Sequence, residues 1–399
     1  MKRIFNLLIA LYPILSGYGL SLSLDFGSIL LFVFGVGCVI AYPRKFRIKM
    51  PEGYMLFFVV ALLLSLVWAR SVPLRLLLFS VNLVFACCFA EKELLWKYYN
   101  IIVWVCVVFF LAQEVSFYII GVRPSGILSF LPTVYGGDNA GLIEETVTSE
   151  RSSSFFLEPS YFAQFLIPYV VINLFSTKKN ERKQAVIASF ILVLIRSGVG
   201  IMVLGIIWLL WFLFSNIKAR TKIISLVFIT MTLLVLTYTA SGFLDYFLSR
   251  SDELLSFTGD EQYQSSGFIR IFRGYFAFAN TSFLNKLFGS PPEVVQALLE
   301  GSIYFGKESS NFINGIQTLL FYHGILGTIL YLRHLLLLPY KTGSKTLLIL
   351  SISIIVLLFP EQFYLSSRLF VMIVFMYLIR KDIKNVFEKR RLIKNDIKV

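Results

Sequence analysis

The groups able to do chemistry in this chain are few, and they stand at the edges of apolar sequence. Glu158 lies in RSSSFFLEPSYFAQFLIPY, between Arg151 and a long apolar run and directly before Pro159. Arg196 lies in LVLIRSGVGIM, with apolar residues on both sides and glycines just after it. Arg270 and Arg273 in FIRIFRGYFAF are one helical turn apart, with Tyr275 and Phe276 close by. At a lipid boundary a carboxylate offers proton exchange and a guanidinium offers a grip on anions, and either is costly there unless paired or used. Plainer roles exist for each. Glu158 could meet a helix dipole, Arg196 could snorkel to lipid headgroups, the arginine pair could face solvent, and the aromatics could be interfacial anchors. Glu114, near the end of another apolar run, reads as either a functional carboxylate or a hydrogen-bonded packing residue, whereas Arg123 and Arg250 read as surface charges.

Other machinery is missing from the sequence. There is no Gly-rich phosphate loop with a Lys, no H-E-x-x-H, no cysteine pairs at zinc spacing and no D-x-D in the long polar gaps. No metal and no other cofactor is therefore expected. Cys38, Cys87, Cys88 and Cys106 fall inside apolar runs, where cysteine behaves as a small hydrophobe. The only histidines are His323, inside an apolar run, and His334, on the cytoplasmic side by charge pattern, which leaves a Ser-His-Asp arrangement on the outer face unsupported.

Positioning the candidate groups falls to the apolar runs. The 399 residues are 57% hydrophobic and 15% charged, against about 25% charged in soluble domains; they read as one all-α integral membrane domain, 1–399. Twelve apolar runs are visible, from Ile4 to Leu22 through to Phe363 to Ile379, several of them shorter than the ~20 residues of a perpendicular span. The shortest pair flanks Arg196 and predicts a helical hairpin whose tight turn is made by the glycines. Of the 37 Lys and Arg, 26 fall in alternate gaps and in the tail 380–399, beside only seven acidic residues. Positively charged short loops stay in the cytoplasm. Both termini are thus expected inside, and the two long gaps, 122–154 and 241–311, outside.

Charge scattered over such gaps is a topology signal rather than a nucleic-acid surface. The first run lacks an A-x-A cleavage site and reads as an uncleaved helix, not a signal peptide. In the longer outer gap FIRIFRGYFAFANTSFLNKLFG predicts an amphipathic helix lying on the membrane surface. Ser290-Pro291-Pro292-Glu293 predicts a helix start with a capping hydroxyl.

Four stretches, in order, resemble bacterial O-antigen and capsule repeat-unit polymerases of the Wzy type, relatives of the O-antigen ligases. They are RSSSFFLEPSYFAQF, LIRSGVGIMVL, RIFRGYFAF with the later Leu287 to Gly289, and NGIQTLLFYHGILGTILYL, in which Asn314, Leu319, Gly324 and Gly327 match the family pattern. The resemblance covers most of the chain. It implies a polytopic protein of about twelve transmembrane helices with GT-C-like ligase/polymerase architecture in the bacterial inner (plasma) membrane. The implied reaction passes a growing glycan from undecaprenyl diphosphate to the terminal sugar of a newly flipped lipid-linked repeat unit.

On that resemblance Arg196 and Arg270 stabilise the departing diphosphate, with Arg273 and Arg151 behind them, and Glu158 takes the proton of the attacking hydroxyl. Asn314 and Tyr275 bind substrate. Undecaprenyl-diphosphate-linked oligosaccharides and membrane lipid are the implied partners, joined by a flippase and a chain-length regulator, with no nucleic acid. Two departures matter: Ile313 stands where the ligases carry a His before the Asn, and the R-x10-G pattern of some polymerases is missing from the outer gaps. The alternatives are an O-antigen ligase that hands glycan to lipid A core, which the missing His disfavours, and a flippase or other transporter. A transporter would have short loops on both faces and commonly carries internal repeats, and none is visible.

Overall fold

Eleven of the twelve apolar runs fold as helices, and the ninth, 223–240, lies outside the described residues. The computed structural model describes residues 1–21, 24–46, 50–51, 53–67, 73–134, 147, 151–215, 266–300 and 313–396, with side chains throughout except at 266–271 and 384–396. The first helices are α1 (Lys2–Leu15), α2 (Phe26–Ala41), α3 (Tyr54–Val67), α4 (Leu74–Phe89) and α5 (Lys92–Ile120). A small antiparallel pair, β1 (Gly19–Ser21) and β2 (Leu24–Asp25), joins α1 to α2. Then follow α6 (Pro159–Leu174), α7 (Lys179–Leu194) and α8 (Gly198–Phe214). The longer gap contributes α9 (Ser266–Ala279), α10 (Phe283–Phe288) and α11 (Pro292–Glu300), before α12 (Gly315–Thr342), α13 (Lys345–Leu358) and α14 (Ser367–Asp396).

A helix that is apolar all round must be surrounded by others, and α14 is that helix here. Every residue from Leu369 to Met376 is buried, under contacts from α1, α4, α5, α6, α12 and α13. Helices α2, α3, α5 and α8 instead turn large apolar side chains outward, among them Val33, Leu63, Val108 and Leu213. Two of the described helices, α5 with 29 residues and α12 with 28, are long and apolar enough to cross a membrane. Five more, α2, α3, α4, α8 and α13, are apolar but have at most 17 residues, about 26 Å at ~1.5 Å per residue, short of the ~30 Å of a hydrocarbon core.

The gaps rich in Lys and Arg meet at one end of the bundle. There Lys2 pairs with Glu91 at 3.0 Å and Lys92 with Asp382 at 2.7 Å, joining the starts of α1 and α5 to the far half of α14. At the opposite end the first outer gap folds back onto the α1–α2 connection, with Gly19 N donating to Pro132 O at 2.9 Å and Val134 N to Gly17 O at 3.1 Å.

Three local expectations are revised. Helix α7 begins well before its apolar run, because KNERK can form exposed opening turns: Glu181 sits in the first turn, pairs with Lys178 at 3.0 Å and accepts from Ser176. The α7–α8 hairpin exists, but its left-handed residue is Arg196 itself, at φ 57°. Gly200 serves close approach instead, since a Cβ there would lie 2.7 Å from that of Ala163 on α6. Finally, α11 starts at Pro292 with Glu293 in its first turn, yet Ser290 does not cap it, and its N–H donates to Phe321 O of α12 at 2.6 Å.

Candidate functional site

The end of the bundle away from the Lys2–Glu91 pair carries a concave pocket of about 670 Å³, its open mouth included. The C-terminal end of α1 forms one wall, and the first residues of α6 and α14 reach it through Tyr161, Ser367 and Arg368. Asp25, the N-cap of α2, and Arg75, in the first turn of α4, complete it. Four helix N-termini therefore border one space with their positive dipole ends, and within the chain Asp25 caps Ser28 N of α2 and Ser366 Oγ caps Leu369 N of α14. Both arginines occupy first turns, the place where the dipole disfavours a cation. Their presence raises an already positive potential, a combination that selects anions.

The two guanidiniums are not completed by the protein. Arg368 is 8% exposed, lies 3.7 Å over the Tyr161 ring, and its Nε has no hydrogen-bond partner among the described residues. Neither it nor half-buried Arg75 has an ion-pair partner among those residues. The wall beside Arg368 includes Leu365, held in the left-handed region at φ 55°. Non-glycine residues keep that conformation only where their surroundings over-determine it.

Asp25 supplies the negative group of the pocket. Its Oδ1 accepts from Ser28 N at 2.7 Å and its Oδ2 from Ser28 Oγ at 2.6 Å, while Tyr12 donates to Ser28 Oγ at 2.8 Å. Burial raises the Asp25 pKa above the ordinary carboxylate value, and the Ser28 bonds and the Arg75 charge oppose that rise.

The residues singled out from sequence lie elsewhere. Of Glu158, Arg196, Arg151, Arg273, Tyr275 and Asn314, none lines the pocket; the Arg270 side chain lies outside the described residues, as does Arg250. Glu158 is the N-cap of α6, with Pro159 following as expected, but it is exposed, and among the described residues its carboxylate accepts only from Ser160 at 3.2 Å. Its neighbours Leu157 and Tyr161 do line the cavity. Half-buried Arg196 has no ion-pair or hydrogen-bond partner for its side chain among the described residues.

Arg273 is fully buried, not solvated, and donates to Leu299 O near the end of α11 at 3.0 Å, which is where a cation suits a helix. Burial pulls its pKa down. Tyr275 and Asn314 are brought together: burial raises the Tyr275 pKa and the neighbouring Asn314 side chain opposes it. Asn314 also caps α12 through a reciprocal box, accepting from Gln317 N at 2.9 Å while Gln317 Oε1 accepts from Asn314 N at 3.0 Å. The matching Gly324 has a structural reason as well. At φ 64° it breaks α12, and a Cβ there would lie 2.6 Å from Gly289 N of the outer gap.

Arg123, expected at the surface, is 1% exposed. It lies 3.6 Å over Phe117, donates to Ser152 Oγ at 2.9 Å and pairs with Glu114 at 3.5 Å, and Ser152 donates to the same carboxylate. Glu114 and the first Ser of RSSSF are therefore parts of one closed network. Among the described residues no three His, Cys, Asp or Glu side chains are grouped to hold a metal ion.

Sequence reasoning missed Arg75, Arg368 and Asp25. A signal was there: once the 26 basic residues of the alternate gaps and tail are set aside, Arg75 and Arg368 are two of the eleven left, the first directly before an apolar run and the second inside the last one. Asp25, directly before such a run and three residues ahead of Ser28, carried the mark of a cap. Compared with known proteins, the chain matches no family model and no curated protein.

Proposed function

We propose that this protein is a metal-independent membrane glycosyltransferase that polymerises undecaprenyl-diphosphate-linked oligosaccharide repeat units into O-antigen or capsular polysaccharide at the outer face of the bacterial inner membrane. The observation that carries the reading is the pocket lined by Arg75 and Arg368, each in the first turn of a helix and neither with an ion-pair partner within 4 Å among the described residues. When an anomeric carbon–oxygen bond breaks, charge collects on the departing diphosphate, and preorganised cations in a low-dielectric cleft stabilise it without reorganising. Guanidiniums suit this because their fork binds phosphate oxygens in pairs.

The wall of the pocket comes partly from RSSSFFLEPSYFAQF, a stretch that carries the resemblance to the Wzy-type polymerases. The apolar exterior of α2, α3, α5 and α8 supports a lipid setting, and the basic end of the bundle supports cytoplasmic termini with the pocket and long gaps outside. The full proposal includes twelve spans in GT-C-like architecture, with short helices sheltered by neighbours or met by a locally thinner bilayer. Arg196, half-buried, strained and without a side-chain partner among the described residues, is a third cation for the substrate, with Arg270 and Arg151 along the glycan path and buried Arg273 holding α9 to the end of α11 beside it. On the same reading Glu158, Tyr275 and Asn314 are the groups that meet sugar hydroxyls beyond the pocket. A flippase and a chain-length regulator are the protein partners proposed.

Deleting the gene should leave surface glycan a single repeat unit long on a core that is still capped, read from the glycan ladder. Loss of all glycan would instead favour a ligase or a flippase. Arg368→Ala or Arg196→Ala, inserted and expressed normally, should reproduce the short ladder. Wild-type chain lengths in both would remove these residues from the site.

A further inference from the structure

In the pocket the opposite charges occupy different helices, with cations at the starts of α4 and α14 and the carboxylate at the start of α2. We propose that Asp25 is the proton acceptor for the attacking sugar hydroxyl, an assignment that rests on the glycosyl-transfer reading. Asp25 is the sole carboxylate among the residues lining the cavity, and it is 8% exposed. Each of its oxygens takes one hydrogen bond from Ser28 and keeps a lone pair for another donor. The Tyr12 hydroxyl, donating to Ser28 Oγ, fixes that serine as a donor toward Asp25 and so fixes the carboxylate plane.

A capped helix start does not by itself make a site. The independent observation is Arg368, more than nine-tenths buried with an unpartnered Nε, on the wall of the same cavity. An anion held there puts the sugar attached to it within the cavity that Asp25 borders. Glu158, by contrast, is exposed and bonded only within its own turn.

In the step itself, the acceptor hydroxyl oxygen bonds to the anomeric carbon as the bond from that carbon to the diphosphate oxygen breaks. The electron pair of the broken bond leaves on the diphosphate, toward Arg75 and Arg368. The hydroxyl proton passes to Asp25, which releases it to water when the product moves on. The groups that bear on the acidity of Asp25 are Ser28 on its own helix and Arg75 on α4; Tyr12 on α1, Tyr161 on α6 and Arg368 on α14 line the same cavity. Since burial raises its pKa, the elongation rate should fall on acidification at a pH above the ordinary carboxylate value.

The test is Asp25→Asn, which keeps a carbonyl oxygen for Ser28 N and caps a helix about as well. Membranes from cells lacking the gene, loaded with their own accumulated lipid-linked repeat units, are given the wild-type protein or the variant. Undecaprenyl diphosphate serves as the binding probe. The expected result is unchanged probe affinity and thermal stability, elongation reduced about 100-fold or more, and no acid limb in the residual rate. Elongation at the wild-type rate would overturn the role of Asp25 while leaving the functional reading intact, and so would parallel loss of probe affinity and stability, which marks a mere cap. Failure of the wild-type protein itself to elongate the units or bind the probe overturns the functional reading and this inference together.

Discussion

Arg123 and Arg368 are both buried arginines seated over an aromatic ring, 3.6 Å above Phe117 and 3.7 Å above Tyr161. They differ in what completes them. Arg123 has the Glu114 carboxylate and the Ser152 hydroxyl, and Ser152 closes the circuit on Glu114. Arg368 has no carboxylate partner among the described residues, and it stands with Arg75 in a cavity open to ligand. A buried charge satisfied inside the chain fixes conformation, and removing either member strands the other. A buried charge left open is tolerable only if something outside the chain completes it. Arginine burial alone therefore does not separate structure from function; the partner does.

The sharpest way to break this contrast is Arg123→Ala. It leaves Glu114 partly buried without its cation, so thermal unfolding in detergent should show a loss of about 3 kcal/mol, while undecaprenyl diphosphate affinity stays unchanged. Arg368→Ala should do the reverse. Losing a charged hydrogen-bond donor worth about 1.5–3 kcal/mol weakens the probe ten- to a hundredfold, and stability holds or rises because a cation has left a helix N-terminus. If Arg123→Ala cost affinity and Arg368→Ala cost stability, the two arginines would have exchanged roles and the pocket would lose its claim to be the site.

How far the sequence allowed this to be seen depends on how local each feature is. Helix positions, the Pro159 and Pro292 starts and the α7–α8 hairpin follow from residues within a turn or two of one another, so periodicity and proline chemistry sufficed. The Arg123 network joins α5, the residues after it and the segment before α6. The pocket joins parts of α1, α2, α4, α6 and α14 with their connections. No spacing rule spans such distances, and Arg75 and Arg368 were passed over although the charge count had isolated them. Glu158 and Arg196 drew notice through their neighbours in sequence, and the fold then put each beside the cavity wall or apart from it for reasons of packing.

Arg196 lies between the two cases, being half-buried and without a side-chain partner among the described residues but held by a strained backbone. A left-handed non-glycine residue costs about 1–2 kcal/mol, which Arg196→Gly would relieve. The variant should unfold at a higher temperature, less any loss from freeing the unfolded chain, and should make shorter glycan. Greater stability with undiminished chain length would show that the guanidinium has no task, and only the cavity with Arg75 and Arg368 would remain as a cationic site.

Asn314, the N-cap of α12, offers a test that separates a cap from a ligand-binding group. Its side chain takes the Gln317 N–H while Gln317 takes its own, and it lowers the pKa that burial raises at the nearby Tyr275 hydroxyl. Asn314→Ala should cost about 1 kcal/mol through the lost cap, and Asn314→Ser should recover most of that, since a hydroxyl caps nearly as well. The glycan ladder then decides between the two roles. If Ser restores chain length along with stability, Asn314 acts by holding the first turn of α12 against α9, and its match to the polymerase pattern is architectural. If Ser restores stability but the ladder stays short, the amide itself reaches the sugar, and the Tyr275–Asn314 pair joins the pocket as a second point of contact with the glycan.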